Sequence, residues 1–197
     1  MVYQNFIKRL LDILLSLIAM PFVLIIVIIC GLLIKIEDGG PIFYCGYRLG
    51  KHQKKFKMIK LRSMKVNAID IRNVDGTTFN GEADDRVTKI GKIIRKLSLD
   101  EFPQFINVLL GDMSIVGPRP SPPGDKSMYP KEFLLKYNVR PGITGLTQAT
   151  LRNKATMEDR IKLDKYYVEN YSFMLDLKIL ALTFYSVIKR SNIYNEQ

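Results

Sequence analysis

Residues 13–34 read ILLSLIAMPFVLIIVIICGLLI, a run of 22 residues without a charge. As an α-helix with a rise of about 1.5 Å per residue, this run measures roughly 33 Å, which is enough to cross the hydrocarbon core of a bilayer. It is longer than the apolar core of a secretory signal peptide, and no small-residue cleavage site follows it. The run therefore predicts a segment that stays in the membrane.

The charges that flank this run are basic on both sides. Lys8 and Arg9 precede it, and a lysine-rich stretch at 46–65 follows it. Positive flanks favour the cytoplasmic side, and a straight span places only one flank there. Pro21 removes a helical hydrogen bond and favours a kink. Two arrangements remain open: a re-entrant hairpin that turns at Met20-Pro21, and a kinked helix that spans the membrane.

The composition restricts the chemistry that the chain can perform. The 30 Lys and Arg outnumber the 19 Asp and Glu, so the net charge of +11 indicates an anionic partner such as nucleic acid, acidic lipid or a phosphorylated substrate. His52 is the one histidine, and Cys30 and Cys45 do not have metal-ligand spacing, which argues against a histidine-based triad and a zinc site. Chemistry should therefore rest on carboxylates and cations.

The length of 197 residues suits one membrane anchor, at 1–36, and one domain, at 37–197. The periodicity predicts a mainly α fold with a small β-hairpin (α+β). We expect the second of its helices to end at Gly111, a residue suited to a left-handed C-terminal position. The closing helix is apolar on most sides and should pack on the core or lie in the membrane interface. In order, the predicted elements are strands at 41–47 and 55–62, a loop at 67–85, and helices at 87–97, 102–109 and 172–190.

Two carboxylates, Asp100 and Glu101, lie where the second of these helices begins. Together with Ser98 they match the S-x-x-E capping box, in which acids only stabilise a helix start. Pro103 disfavours Ser98 as the N-cap and favours Asp100, because proline is tolerated only in the first turn. A carboxylate in that position can bind Mg²⁺ and phosphate oxygens together. On these residues alone, a structural role and a catalytic role both remain open.

Several short blocks occur in order along the chain. They are KLRSM at 60–64, SLDEFPQ at 98–104, NVL at 107–109, GDMS at 111–114, GPRP at 117–120 and RPGITGLTQ at 140–148. Together they resemble the signature of the monotopic phosphoglycosyl transferases, the bacterial sugar transferases that load a phosphosugar onto a polyprenyl phosphate carrier. The resemblance runs from Lys8 to about Arg190. It implies a re-entrant anchor and a compact cytoplasmic domain with interfacial helices, at the cytoplasmic face of a bacterial inner membrane.

The resemblance also implies a two-step transfer. Asp100 would attack a UDP-sugar at the phosphorus that bears the sugar, releasing UMP, and polyprenyl (undecaprenyl) phosphate would then displace the enzyme. Mg²⁺ is the expected cofactor, with Asp100 as its ligand, and Glu101 is expected to be a metal neighbour or proton acceptor. The anchor of the family breaks at a Ser-Pro pair, whereas this chain has Met20-Pro21 and lacks that serine.

The resemblance further implies a set of substrate-binding residues. Arg95 and Arg119 match arginines that hold phosphate or nucleotide in the family. The expected partners are a UDP-sugar, polyprenyl phosphate and anionic membrane lipid, and a homo-oligomer is left open. The full expected substrate-binding set is Lys60, Arg62, Arg95, Pro118, Arg119, Pro120 and Arg140.

Two classes of protein other than an enzyme would also account for the positive net charge. A membrane-tethered nucleic-acid binder would use the net charge of +11, but the chain has no recognition helix, RNP motif or aromatic stacking ladder, so we expect no nucleic-acid partner. A non-catalytic membrane scaffold would tolerate the loss of Asp100 and Glu101, whereas an enzyme would not. The sequence does not identify the sugar.

Overall fold

The computed structural model describes residues 3–71, 84–124 and 129–189. It is mostly helical with two small sheets, so the prediction of a mainly α fold with a β-hairpin is confirmed. Most of the predicted loop at 67–85 lies outside the described residues. After a π-helical turn at Tyr3–Ile7, the elements are α1 Lys8–Asp38, β1 Phe43–Leu49, β2 Lys55–Leu61, α2 Lys89–Lys96, α3 Gln104–Leu110, β3 Ser114–Val116, α4 Lys131–Leu134, β4 Gly142–Thr144, α5 Leu146–Thr150, α6 Met157–Asn170 and α7 Phe173–Lys189.

Helix α1 contains the apolar run and continues through Pro21 as one helix. In the part of the chain that the structure describes, it is the one helix long and apolar enough to cross a membrane. Every exposed side chain from Leu10 to Leu33 is apolar, including Phe22 and Ile28. Exposed apolar surface on this scale requires an apolar environment, so the helix supports membrane association of the chain.

The N-terminal end of α1 packs on the following domain through polar side chains. Lys8 forms an ion pair with Asp176 of α7. The buried carboxylate of Asp12 accepts hydrogen bonds from the Ser114 hydroxyl, at 3.0 Å, and from the Ile115 N–H, at 2.9 Å. A buried carboxylate needs such donors, so this contact fixes the start of the helix on β3.

The C-terminal end of α1 contacts the same domain at a different place. Asp38 forms an ion pair with Arg62, directly after β2. Cys30 and Ile34 are buried in a cluster with Leu61 of β2 and Ile94 of α2. Gly39 ends the helix in a left-handed conformation with φ of 69°. Both ends of the helix are therefore packed on one domain.

The β-hairpin is an antiparallel pair in which Phe43 faces Leu61 and Leu49 faces Lys55. Its inward side chains include Phe56 and Met58, which join the main core. The predicted hairpin is confirmed, although β1 begins and ends two residues later than expected. Asn107 of α3 joins the hairpin to the core, because its side chain accepts from the Ile59 N–H at 2.9 Å and donates to the Lys57 carbonyl at 2.8 Å.

The main core lies among α3, α5, α6, α7 and the parallel pair β3–β4. The phenol of the buried Tyr167 donates to Asp176 at 2.8 Å and lies 3.1 Å from the Val116 carbonyl. In α7, Ile179 is fully buried, while Phe173 and Phe184 are exposed. The closing helix therefore packs one face on the core, as one of the two predicted alternatives required, and leaves apolar side chains on the opposite face.

Candidate active site

The two acids lie in a tight connection between α2 and α3. Ser98 adopts a left-handed conformation with φ of 57°, and a 3₁₀ turn at Leu99–Glu101 follows it. The Ser98 side chain makes no capping bond, so the capping box is absent. The prediction that Asp100 is the N-cap of α3 is also wrong, because the helix begins at Gln104 and Pro103 occupies the N-cap position. The left-handed Ser98 starts a separate turn, which moves the acids off the helix.

Glu101 is held by two cations from different elements. It accepts from Lys60 Nζ of β2 at 2.7 Å, and from Arg119 Nη1 and Nη2 at 3.3 and 3.4 Å. Burial alone would raise the pKa of Glu101, but Lys60 and Arg119 outweigh burial and lower it to about 2. Glu101 is therefore an ionised carboxylate at neutral pH.

The neighbouring Asp100 has a different environment. Among the described residues, none forms a hydrogen bond with its carboxylate. Burial raises the pKa of Asp100 and the negative charge of Glu101 adds to the rise, while Lys60, Arg95 and Arg119 oppose it. Two adjacent carboxylates with opposite pKa shifts are typical of sites in which the acids have different roles. Glu101 is engaged by cations, and Asp100 is available to a ligand.

Three of the predicted substrate-binding cations surround the acid pair. Lys60 comes from β2, Arg95 from the last turn of α2 and Arg119 from the segment after β3. Arg95 donates through Nε to the Ser63 hydroxyl at 2.8 Å. The Arg119 side chain is 47% exposed, so it can meet a ligand. Their positions suit a phosphate-bearing substrate, and their role as its ligands stays a prediction.

Pro118 and Pro120 bracket Arg119 and stiffen its backbone. The Pro118 carbonyl accepts from the Gly142 N–H at 3.0 Å, and Ser121 accepts from the Leu49 N–H at 2.8 Å. Both ends of this short segment are therefore tied to the framework. Because both ends of the segment are held, Pro118 and Pro120 restrict the directions in which the Arg119 side chain can point.

Arg62 and Arg140 form hydrogen bonds with the framework of the domain and not with the acid pair. Arg62 is buried and donates to Asp38 and to the Pro41 carbonyl. Arg140 Nε donates to the Gly111 carbonyl at 3.0 Å, just past the C-terminal end of α3. Neither guanidinium is hydrogen-bonded to the acids, so a substrate-binding role for these two arginines stays an untested prediction.

Arg152 is a residue near the site that sequence reasoning missed. Its Nη2 donates to the Ser98 hydroxyl at 3.1 Å and its Nη1 to the Ser186 carbonyl at 3.3 Å. Burial lowers the pKa of Arg152 below its usual value, and the negative charge of Glu101 opposes part of this shift. Arg152, like Ser98, has a positive φ, which is uncommon in residues other than glycine and concentrates at functional sites. Only its place four residues after the RPGITGLTQ block hinted at a role.

The donor set around Asp100 suits one kind of metal ion. The described residues contain no cluster of three or more His, Cys, Asp or Glu side chains that could enclose a metal. Mg²⁺ does not need such a cluster, because it retains waters and binds one or two carboxylates together with substrate phosphates. Since Glu101 is engaged by Lys60 and Arg119, Asp100 is the carboxylate that fits this role.

Residues 3–190 match the family model described as bacterial sugar transferase. The chain belongs to the bacterial sugar transferase family. The predicted resemblance to phosphoglycosyl transferases is confirmed, and so is the prediction that the chain is an enzyme, a transferase of this type. The matched range agrees with the resemblance expected from Lys8 to about Arg190.

Named relatives cover most of this chain. It is 39% identical over 92% of its length to an uncharacterized sugar transferase of Bacillus subtilis, EpsL, and spans 87% of that protein. It is 40% identical over 93% of its length to the UDP-N-acetylgalactosamine-undecaprenyl-phosphate N-acetylgalactosaminephosphotransferase of Aeromonas hydrophila. The UDP-glucose:undecaprenyl-phosphate glucose-1-phosphate transferase of Klebsiella pneumoniae is 39% identical over 89% of the chain. The chain spans only 44% and 39% of these last two proteins.

Proposed function

We propose that this enzyme transfers a phosphosugar from a UDP-sugar to undecaprenyl phosphate, at the cytoplasmic face of a bacterial inner membrane. The observation that carries the proposal is the Asp100 carboxylate, to which no described residue hydrogen-bonds, beside a Glu101 that Lys60 and Arg119 keep ionised. The names of relatives that cover about nine tenths of this chain support the same substrates.

In the first step, an Asp100 oxygen attacks the phosphorus that bears the sugar. A bond forms between the carboxylate and that phosphorus, and the bond from phosphorus to the bridging oxygen breaks. The bridging oxygen keeps the electron pair and leaves as part of UMP. The product on the enzyme is an aspartyl phosphosugar. Arg119, which is exposed and beside the acids, is placed to bind the leaving nucleotide phosphate.

In the second step, a phosphate oxygen of the lipid attacks the same phosphorus. The bond from phosphorus to Asp100 breaks, so the carboxylate is regenerated and polyprenyl-diphosphate-sugar is formed. Splitting the transfer lets two anionic substrates use one set of cations in turn. Mg²⁺, held by Asp100, would supply neutralisation of phosphate charge in this site. Lys60 and Arg95 contribute fixed positive charge from the protein itself.

We also propose that α1 is a re-entrant anchor. As 31 helical residues it is about 46 Å long, yet Asp12 at one end and Asp38 at the other contact the same domain. A helix whose ends emerge on opposite sides of a bilayer cannot touch one domain at both ends. The exposed apolar side chains of α7 and anionic lipid under the basic surface would help to hold that domain at the membrane.

Labelling of engineered cysteines tests this topology. In a Cys30→Ser, Cys45→Ser background, Gln4→Cys and Lys51→Cys should both stay unlabelled by an impermeant maleimide in intact spheroplasts. Both should be labelled after lysis, because both flanks would be cytoplasmic. A cysteine introduced in an exported reporter protein serves as the positive control in the same cells. Labelling of just one of the two engineered positions before lysis would show that the helix spans.

The pH dependence of turnover tests the role of Lys60. Its charge lowers the pKa of Asp100, and the ionised form of Asp100 is the nucleophile. Lys60→Met should therefore raise that pKa and move the acid limb of kcat/KM to higher pH. Lys57→Met, on the exposed side of the same strand, should leave the limb in place. An acid limb that does not move in Lys60→Met would remove Lys60 from the electrostatics of the nucleophile.

The activity itself is tested by measuring UMP release with a panel of UDP-sugars, undecaprenyl phosphate and Mg²⁺. One or a few UDP-sugars should release UMP and form a lipid-linked product in equal amounts. Release of UDP instead of UMP would mean that the sugar is transferred without its phosphate. No release with any UDP-sugar, from protein that is purified in the membrane fraction, would favour the scaffold alternative.

A further inference from the structure

We propose that Glu37, in the last turn of the membrane helix, is a positioning residue for the active site: it holds the start of α2, and α2 carries Arg95 to the acid pair. The Glu37 carboxylate accepts from the Lys89 N–H at 2.7 Å, and from the Ile90 N–H at 3.1 Å through its other oxygen. These two residues are 52 and 53 positions further along the chain. The membrane anchor thus completes the N-terminal capping of a helix in the catalytic domain, beside the N-cap Thr88.

The backbone donors of the first turn of α2 show why this contact matters. An α-helix begins with four N–H groups that have no partner inside the helix. In α2 these groups belong to residues 88–91: the Thr88 N–H donates to the Ser63 carbonyl at 3.2 Å, and the Gly91 N–H donates to the Thr88 hydroxyl at 2.9 Å. Glu37 accepts the remaining two. No acidic residue lies in the first turn of α2, so Glu37 also provides the negative charge that favours a helix N-terminus.

The C-terminal end of α2 is followed directly by the turn that carries Asp100 and Glu101. The helix has only eight residues, so a shift at its start is transmitted to its last turn. That last turn carries Arg95, whose charge lowers the pKa of Asp100, and the left-handed Ser98 follows it. The helix also lies tightly on the segment after β2, because a Cβ on Gly91 would lie 2.0 Å from the Ser63 carbonyl oxygen.

A second contact runs in parallel from the neighbouring residue of the anchor. Asp38 binds Arg62, which follows β2, and β2 carries the Lys60 that holds Glu101. The end of the membrane helix therefore contacts α2 and the residue directly after β2, and these are two of the three segments that supply cations to the acid pair. Glu37 is the sharper test, because its carboxylate contacts backbone N–H groups and can be changed without removing a cation.

Hydrogen–deuterium exchange tests the contact without any assumption about activity. In the full-length protein in nanodiscs, Glu37→Ala should accelerate exchange in the peptide that contains residues 89–92 by about fivefold or more, since a lost cap opens the first turn. Glu37→Gln keeps one acceptor oxygen and should have a smaller effect. Glu132→Gln, an exposed acid in the first turn of α4, is the matched control and should leave this peptide unchanged.

Transferase activity tests whether the contact positions Arg95. This arm rests on the proposed function, whereas the exchange arm does not. Glu37→Ala should lower kcat by about fivefold or more, whereas Glu132→Gln stays within about twofold. In an Arg95→Gln background, Glu37→Ala should cost less than about twofold, because a residue that acts through Arg95 has no further effect once Arg95 is absent.

Three results would overturn the proposal. Unchanged exchange at residues 89–92 would show that Glu37 does not hold the helix. Faster exchange with unchanged turnover would show that the cap has no effect on the site. An equal loss of turnover in the Arg95→Gln background would show a general structural role. If Glu37→Ala does not accumulate in the membrane fraction, Glu37→Gln decides the question with the same three measurements.

Discussion

Asp100→Asn should reduce turnover by about 10³-fold or more while the protein still purifies in the membrane fraction. Asparagine has nearly the shape of aspartate but lacks a nucleophilic carboxylate. The fold should be little affected, because the Asp100 carboxylate forms no hydrogen bond with any described residue and is not a helix cap. Because asparagine is uncharged, the substitution also removes the electrostatic repulsion between residue 100 and Glu101.

The covalent intermediate gives this prediction a direct readout. Wild-type enzyme with a UDP-sugar and Mg²⁺, but without lipid acceptor, should gain a phosphosugar mass on the peptide that contains Asp100. Asp85→Asn, an exposed acid before α2, is the matched control and should keep both adduct and turnover. Substantial activity in Asp100→Asn, together with no adduct in a rapid quench, would favour direct attack by the lipid phosphate.

Local signals in the sequence were enough for several elements. The charge-free run predicted the long helix, and two short strand-like stretches at 41–47 and 55–62, joined by a turn, predicted the hairpin. Gly111 ends α3 with φ of 91°, as its residue type indicated. Each of these features depends on residues close together in the chain, where propensity and periodicity are informative.

The parallel pair β3–β4 could not be predicted in the same way. Each strand has three residues, too few for a period to appear, and Ser114 pairs with Gly142 although α4 lies between them in the chain. Arg152 was missed for a related reason, because its contact with Ser98 joins residues 54 positions apart. That contact accompanies the left-handed Ser98 that moved Asp100 out of the predicted N-cap position.

The family blocks compensated for part of this limitation. Lys60, Arg95 and Arg119 are far apart in the sequence, and only the ordered motifs suggested that they belong together. The structure places all three around the acid pair. For Arg62 and Arg140 the same motifs did not distinguish a residue that supports the framework from one that meets substrate.

Gly142→Ala should lower the free energy of unfolding by about 3 kcal/mol or more, the upper range for inserting a methyl group into a packed site. A Cβ on Gly142 would lie 2.1 Å from the Gly117 nitrogen and 2.2 Å from the Thr144 oxygen. Both are backbone atoms, which cannot move aside as a flexible side chain can. The β3–β4 pair would have to separate where Gly117 leads into Pro118 and Arg119.

Thermal unfolding in nanodiscs measures this loss, and the midpoint should fall by about 10 °C. Gly50→Ala is the matched control, because its nearest neighbour would be a Phe56 ring carbon at 3.3 Å, and its φ of −101° suits alanine. At a temperature where Gly142→Ala remains folded, its KM for the UDP-sugar should still rise, because the displaced backbone carries Arg119 away from Glu101. A midpoint within 2 °C of wild type would mean that β3 and β4 separate at little cost and that this close approach does not fix the site.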